Sequence, residues 1–233
     1  MDNIFNNRYF LLIKKKKILF KAFDSNHNEI FSKDVYLYNH SMNDIFTSIE
    51  NFLEKNVIEI EKKLKHFIKK IFIIFDSDLF FVTASSVKFN FQKNNFQLNE
   101  INDRLLEVRN QFKKYSTKDE IIHMIIEKYI IDGIDYIVLP EDIKSKELII
   151  QVNFICLNEQ IIEKFKTVLS KYEISLNKIF SFNYLDSLED HKITDIFKIA
   201  DQSITGFYNN EIFLTKKSSK NLGFFEKFFN FFN

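Results

Sequence analysis

Five histidines (His27, His40, His66, His123 and His191), one cysteine (Cys156) and the pair Asp76 and Asp78 are the residues from which a metal or nucleophile site would be assembled. The histidines show no ligand spacing with one another or with Cys156, so the sequence offers no zinc motif. His123 lies in a strand-like apolar run and reads as a satisfied structural histidine. Two carboxylates spaced as Asp76 and Asp78 fit the oxygen ligands of a divalent cation, or a polar turn after a strand. Lys14–Lys17 fits a patch for phosphate or anionic lipid, or the solvated tip of a hairpin. No glycine-rich phosphate loop, no G-x-S-x-G and no H-E-x-x-H occurs. The sequence therefore motivates no enzyme, and it implies neither cofactor nor metal.

A different chemistry is written at the end of the chain. At about 100° per residue, Leu222, Phe224, Phe225, Phe228, Phe229, Phe231 and Phe232 share one half-circle. Gly223, Glu226, Lys227, Asn230 and Asn233 fill the other. Lys220 and Lys227, with Lys216 and Lys217 upstream, place cations beside that apolar stripe. This is the pattern of a helix lying in a membrane interface against anionic headgroups. Half-burying six phenylalanines contributes roughly 5–9 kcal/mol before the cost of ordering a short helix. The competing reading is a terminal helix docked on the protein's own core.

The elements that must position these residues are legible from periodicity. Tyr9–Ile13 and Ile18–Phe23, joined by the lysines, read as a hairpin, and Ile30–Tyr38 continues it. Ser41–Lys65 reads as a helix with Ser41 as N-cap and positions 45, 49, 52, 53, 60 and 64 on one face. Ile71–Phe75 reads as a buried strand, Phe80–Phe91 as a strand or hairpin, and Asn99–Tyr115 as a helix with Ile101, Leu105, Val108 and Phe112 inward. The block Asp119–Gln160 organises the rest. It holds the apolar runs Ile121–Ile131, Ile134–Leu139 and Leu148–Leu157, with a tight turn at Asp132-Gly133. Gly133 is one of only three glycines, so it marks a backbone conformation other residues avoid.

Composition bounds the answer. A chain of 233 residues can bury a real core. A net charge of +1 gives no electrostatic case for nucleic acid. One cysteine permits no intramolecular disulfide and fits a reducing compartment. No apolar run approaches the roughly 20 residues of a spanning helix and no signal-peptide core is present, so a cytoplasmic protein is expected.

Glu120–Gly133 (EIIHMIIEKYIIDG) resembles the segment of the bacterial cell-division protein FtsA family that reads roughly E-I-L-H-x-x-P-x-x-Y-x-x-D-G. The likeness continues through the Leu148–Leu157 strand and the helix Glu159–Tyr172 to Asn183–Ser187, with Ile126 standing where the family has proline. The resemblance implies an α+β fold: a partial actin-like (ribonuclease-H-like) 1A half-domain carrying an inserted SHS2-type (1C) subdomain, then a C-terminal amphipathic helix. Its expected boundaries are 1–78 and 184–215 for the two parts of 1A, 79–183 for the insertion, 216–220 for a linker and 221–233 for the helix. In the family the first hairpin carries a D-I-G-T-type phosphate turn, where this chain has Leu12–Lys17. Lys192–Thr215 is similar in layout to the second phosphate hairpin, strand, turn and strand, without its glycines.

The resemblance thus implies a truncated relative that has lost its nucleotide pocket and domains 2A and 2B. It would be a non-enzymatic adaptor, peripheral on the inner face of the cell membrane, that meets divisome proteins or another FtsA-like subunit. Tyr129, Asp132, Gly133, Asp135 and Tyr136 would form the protein-interaction surface. Leu222, Phe224, Phe225, Phe228, Phe229, Phe231, Phe232, Lys220 and Lys227 would bind the membrane. The alternative on the same fold is a scaffold of pilus or secretion assembly, similar to the PilM and GspL families.

Overall fold

The apolar run Phe10–Ile13 alternates its side chains between two cores, and this places its strand at the centre of a sheet. The computed structural model describes residues 7–37, 42–90, 98–140, 145, 147–188, 195–206 and 211–212. Strands β1 (Arg8–Lys14), β2 (Lys17–Phe23) and β3 (Glu29–Tyr36) form an antiparallel meander. Strands β4 (Lys70–Phe75) and β9 (Ser175–Ser181) add to β1 in parallel, giving the order β3-β2-β1-β4-β9. Tyr9, Leu11 and Ile13 point to one face, where α1 (Met42–Leu64) and α3 (Glu159–Ser170) cover them with Ile45, Ile49, Phe52 and Phe165. Phe10 and Leu12 point to the other, under α4 (Phe182–Ser187) and α5 (Ile196–Ile204). Both faces are covered, which is why β1 reads as an unbroken apolar run rather than an alternating one.

Between β4 and β9 the chain builds a second sheet: β5 (Phe81–Asn90), α2 (Leu98–Tyr115), β6 (Asp119–Ile131), β7 (Ile134–Tyr136) and β8 (Glu147–Asn158). Its order is β5-β8-β6-β7, and every pairing is antiparallel. Ile101 and Leu105 of α2 pack on Phe89, Met124, Ile126, Leu148, Ile150, Val152, Phe154 and Cys156 of one face. Strand β6 carries two register shifts, between Ile121 and His123 and between Ile126 and Lys128. The first turns His123 toward β9 and so joins this sheet to the flank of the first.

Several expectations change. Within Lys192–Thr215 the described residues Ile196–Ile204 form the helix α5, where the expected layout had a glycine turn leading into a strand. Asp195 caps it by accepting from the Phe197 amide, and Ile196, Phe197, Ile199, Ala200, Ser203 and Ile204 recur at helical spacing, with no glycine to open a phosphate turn. The run Ile134–Leu139 pairs only as far as Tyr136, opposite Tyr129, and leaves Ile137 and Val138 each 71% exposed just before Pro140. Phe81–Asn90 is one strand, not a hairpin. Helix α3 and strand β9, inside the 79–183 span expected for the insertion, belong to the first sheet and its core. The long helix begins at Met42, and Ser41 lies outside the described residues. So do the linker and the expected membrane residues Lys220, Leu222, Phe224, Phe225, Lys227, Phe228, Phe229, Phe231 and Phe232.

Candidate functional site

The hairpin β6–β7 gathers the five residues expected to meet a partner. Asp132 (φ 50°) and Gly133 (φ 80°) are both left-handed, the geometry of a tight two-residue turn, and Ile131 pairs with Ile134 across it. Asp132 is anchored from outside: Ser145 Oγ donates to its Oδ1 at 2.6 Å and also to the Glu147 carbonyl at 2.9 Å. On β7, Asp135 takes a bond from Lys128 Nζ at 2.5 Å. Tyr129 and Tyr136 pair across the strands and pack against the second sheet's core, and burial raises the Tyr129 phenol. Ile134 is 59% exposed on β7, and Ile137 and Val138 follow it in the chain just beyond the paired residues.

The hairpin tip Lys14–Lys17 lies at the C-terminal end of β1, beside the ends of β4 and β9, where open parallel sheets place ligands. The lysines there are engaged by neighbours. Lys14 Nζ sits 3.9 Å from the Phe182 ring centroid, Lys15 meets Asp78 at 2.9 Å and Lys17 meets Asp34 at 2.7 Å. Asp76, the other half of the acidic pair, uses its backbone amide on the Ile13 carbonyl. Lys14, Lys15 and Lys17 thus each have a neighbour, and the Lys15–Asp78 pair lies in solvent, as at the tip of a solvated hairpin.

A buried polar cluster that sequence reasoning did not assemble lies where the two sheets meet. Glu211 accepts from His123 Nδ1 at 2.8 Å, Ser203 Oγ at 2.6 Å, Tyr184 Oη at 3.1 Å and Lys178 Nζ at 3.1 Å. His123 Nε2 accepts the Ser181 amide at 3.1 Å, so that nitrogen is unprotonated and the ring is the neutral Nδ1–H tautomer. Burial pushes the histidine below its ordinary value, in agreement with that geometry. For Glu211 burial alone would raise the carboxyl. Hydrogen bonds from His123 and Ser203 and the Lys178 charge outweigh it and hold the group below its ordinary value. Burial also holds Lys178 below the ordinary lysine value. Each titratable member has a hydrogen-bond partner inside the cluster, which joins β6, β9, α4 and α5. His123 is the structural histidine its strand setting implied. Glu211 gave no comparable signal, being a lone acid ahead of a short apolar run, 88 residues from its partner.

No protein-family model and no curated protein sequence matches the chain. Among solved structures it is similar to a chain of the PilM-PilN type IV pilus biogenesis complex, at 7% identity and a TM-score of 0.43 over 76% of this chain and 48% of that one. It is similar to the cytoplasmic domain of EpsL, an inner membrane component of the type II secretion system of Vibrio cholerae. That likeness has 10% identity and a TM-score of 0.36 over 77% and 57% of the two chains. A Bacteroides thetaiotaomicron protein with actin-like ATPase fold and unknown function is similar at 12% identity and a TM-score of 0.34, over 81% and 58%. The chain spans between 48% and 58% of the length of these three.

Proposed function

We propose that this chain is a non-catalytic adaptor on the inner face of a membrane, holding a protein partner at the β6–β7 hairpin. The observation that carries the reading is the run of exposed apolar side chains Ile134, Ile137 and Val138 along one short stretch of this hairpin, in a segment that also holds Asp132 and Asp135. Exposed apolar side chains grouped this closely in sequence suit contact with an apolar segment of a partner. The order β3-β2-β1-β4-β9, with a meander followed by parallel additions, supports reading the first sheet as an actin-like half. The run of strand β5, helix α2 and strands β6 and β8 supports reading the second sheet as the SHS2-type insertion. The lack of glycine in Leu12–Lys17 and Lys198–Thr205 and the helix at Ile196–Ile204 support loss of nucleotide binding, although the first hairpin keeps its strands β1 and β2.

The apolar, lysine-flanked stripe from Lys220 to Phe232 supplies the membrane contact in this reading. No helix among the described residues is long and apolar enough to cross a membrane. Pilus or secretion assembly comes first as the machinery served, the setting named for the PilM-PilN and EpsL structures. Bacterial cell division comes second, on the resemblance of Glu120–Gly133. Affinity purification from membranes of the native cell, comparing the wild-type chain with Ile137→Asp/Val138→Asp, tests both. Recovery of pilus or secretion proteins that the variant loses supports the reading, and recovery of division proteins selects the second machinery. Identical partners from both chains would remove the hairpin from the account.

A further inference from the structure

The stretch Lys62–Lys70 (KKLKHFIKK) leads from the last turn of α1 into β4 and holds five lysines. Lys65, left-handed at φ 60°, follows the end of the helix. His66 then turns inward, where its Nε2 meets Tyr9 Oη and, at 2.9 Å, Asn7 Nδ2. Ile68 is buried, and its amide donates to Glu61 Oε1 at 2.8 Å. The Lys69 carbonyl accepts the Ser175 amide of β9 at 2.9 Å. With His66 and Ile68 held inside, Phe67 between them stands outward and is 70% exposed. On either side of it in the chain Lys62, Lys65, Lys69 and Lys70 are exposed, and none of the four is in an ion pair among the described residues. The acids close by are committed elsewhere or stand apart. Glu59 takes Lys33 at 2.8 Å and Lys63 at 2.9 Å, Glu61 holds the Ile68 amide, and Glu173, exposed ahead of β9, pairs with none of the four.

We propose that this loop is a second membrane contact, with Phe67 seated at the headgroup boundary and Lys62, Lys65, Lys69 and Lys70 facing anionic headgroups. It rests on the membrane reading above: one phenylalanine and four lysines orient a chain that the terminal stripe already holds, and do not hold it alone. An exposed aromatic side chain gains by leaving water, and lysines beside it can lay their stems along apolar surface while their ammonium heads stay among polar groups. Charge complementarity selects an anionic surface, since the four cations have no counter-charge within the fold. The aromatic selects a bilayer over a nucleic acid. Lys69 Nζ sits 5.3 Å from the Phe67 ring centroid, over a face on which a base would stack. No arginine is among the cations, the residue that reads bases and phosphates bidentately. Strands β1, β4 and β9 run parallel and begin at this end, so the contact turns that end of the first sheet toward the lipid.

The chain contains no tryptophan, so Phe67→Trp in the full chain places a single indole at the site. Vesicles of equimolar phosphatidylcholine and phosphatidylglycerol should shift its emission to the blue, and brominated acyl chains should quench it. Tyr115→Trp, at a position 91% exposed at the end of α2, should show neither. Lys62→Gln with Lys65→Gln, Lys69→Gln and Lys70→Gln should raise the lipid needed for half-maximal co-sedimentation roughly tenfold or more, with an unchanged circular dichroism spectrum. Removing the same charge from exposed lysines elsewhere, by Lys16→Gln, Lys55→Gln, Lys114→Gln and Lys118→Gln, should leave it nearly unchanged. A chain that co-sediments while the indole at position 67 keeps its emission would overturn the loop contact and leave the terminal stripe standing. A chain that stays off the vesicles would remove the membrane reading and this contact with it. An equal shift on phosphatidylcholine alone, equal losses from the two lysine sets, or an indole that responds to DNA or RNA and not to vesicles would each overturn the proposal.

Discussion

Glu211 concentrates more buried hydrogen bonding than any other side chain described above, and what it does depends on which of its neighbours carries charge. His123 is held neutral by the amide of Ser181, so the ion pair that matters is Glu211 with Lys178. Replacing Glu211 with Gln should cost about 1–3 kcal/mol, because the amide cannot accept from all four of the donors that now meet the carboxylate. Urea unfolding at pH 7 measures this. Two acid windows follow from the same joint. His123 titrates below its ordinary value of 6.5 in the folded chain, so its contribution is complete above about pH 6.5 and is lost as the pH falls below it. Glu211 is held below its ordinary 4.5, so its contribution is present above pH 4.5 and is lost as the pH falls through its lower folded-state value. His123→Gln offers an amide N–H and an oxygen in similar places without titrating. The urea midpoint of that variant should be flat between pH 6.5 and 5 while the lower window remains.

At the scale of elements, the turn at Asp132-Gly133 sets the hairpin that carries the docking patch. A Cβ added to Gly133 would meet nothing within 4 Å, so Gly133→Ala should lose only the left-handed preference, about 1 kcal/mol, seen as a lower melting temperature with strand content unchanged. Glu173 after α3 is also left-handed, at φ 59°, and Glu173→Gly should raise stability by a similar amount. These local features were legible. A scarce glycine between apolar runs announced the turn, and the inward positions of α1 followed from period alone, with Ile45, Ile49, Phe52, Leu53 and Ile60 all buried. Strand β9 was not legible, since SLNKIFS opens with polar residues and only its last three are buried. Helix α5 was misread because the likeness to a glycine hairpin outweighed a local signal in plain view, Asp195 ahead of Ile196, Phe197 and Ala200. The Glu211 cluster could not be read, because it joins β6, β9, α4 and α5 through contacts with no period in sequence.

Over the whole molecule, the first sheet and its four helices make a body, and the second sheet stands on its flank, tied in by His123 and by Ile125 opposite Glu211. That arrangement puts the β6–β7 hairpin at one edge of the second sheet and β5 at the other. If the terminal stripe supplies the membrane contact, flotation with vesicles rich in anionic lipid should carry the intact chain upward. Phe228→Glu with Phe229→Glu should leave it at the bottom, and high salt should weaken the wild-type effect through the lysines.

The central claim is that the β6–β7 hairpin grips a protein partner, and site-specific photo-cross-linking tests it most directly. A photoreactive benzoylphenylalanine replacing Ile137 in the native cell should give one discrete adduct with an assembly protein. The same group replacing Glu163, on the solvent side of α3, should give none. No adduct at position 137, or the same adduct from both positions, would contradict the account.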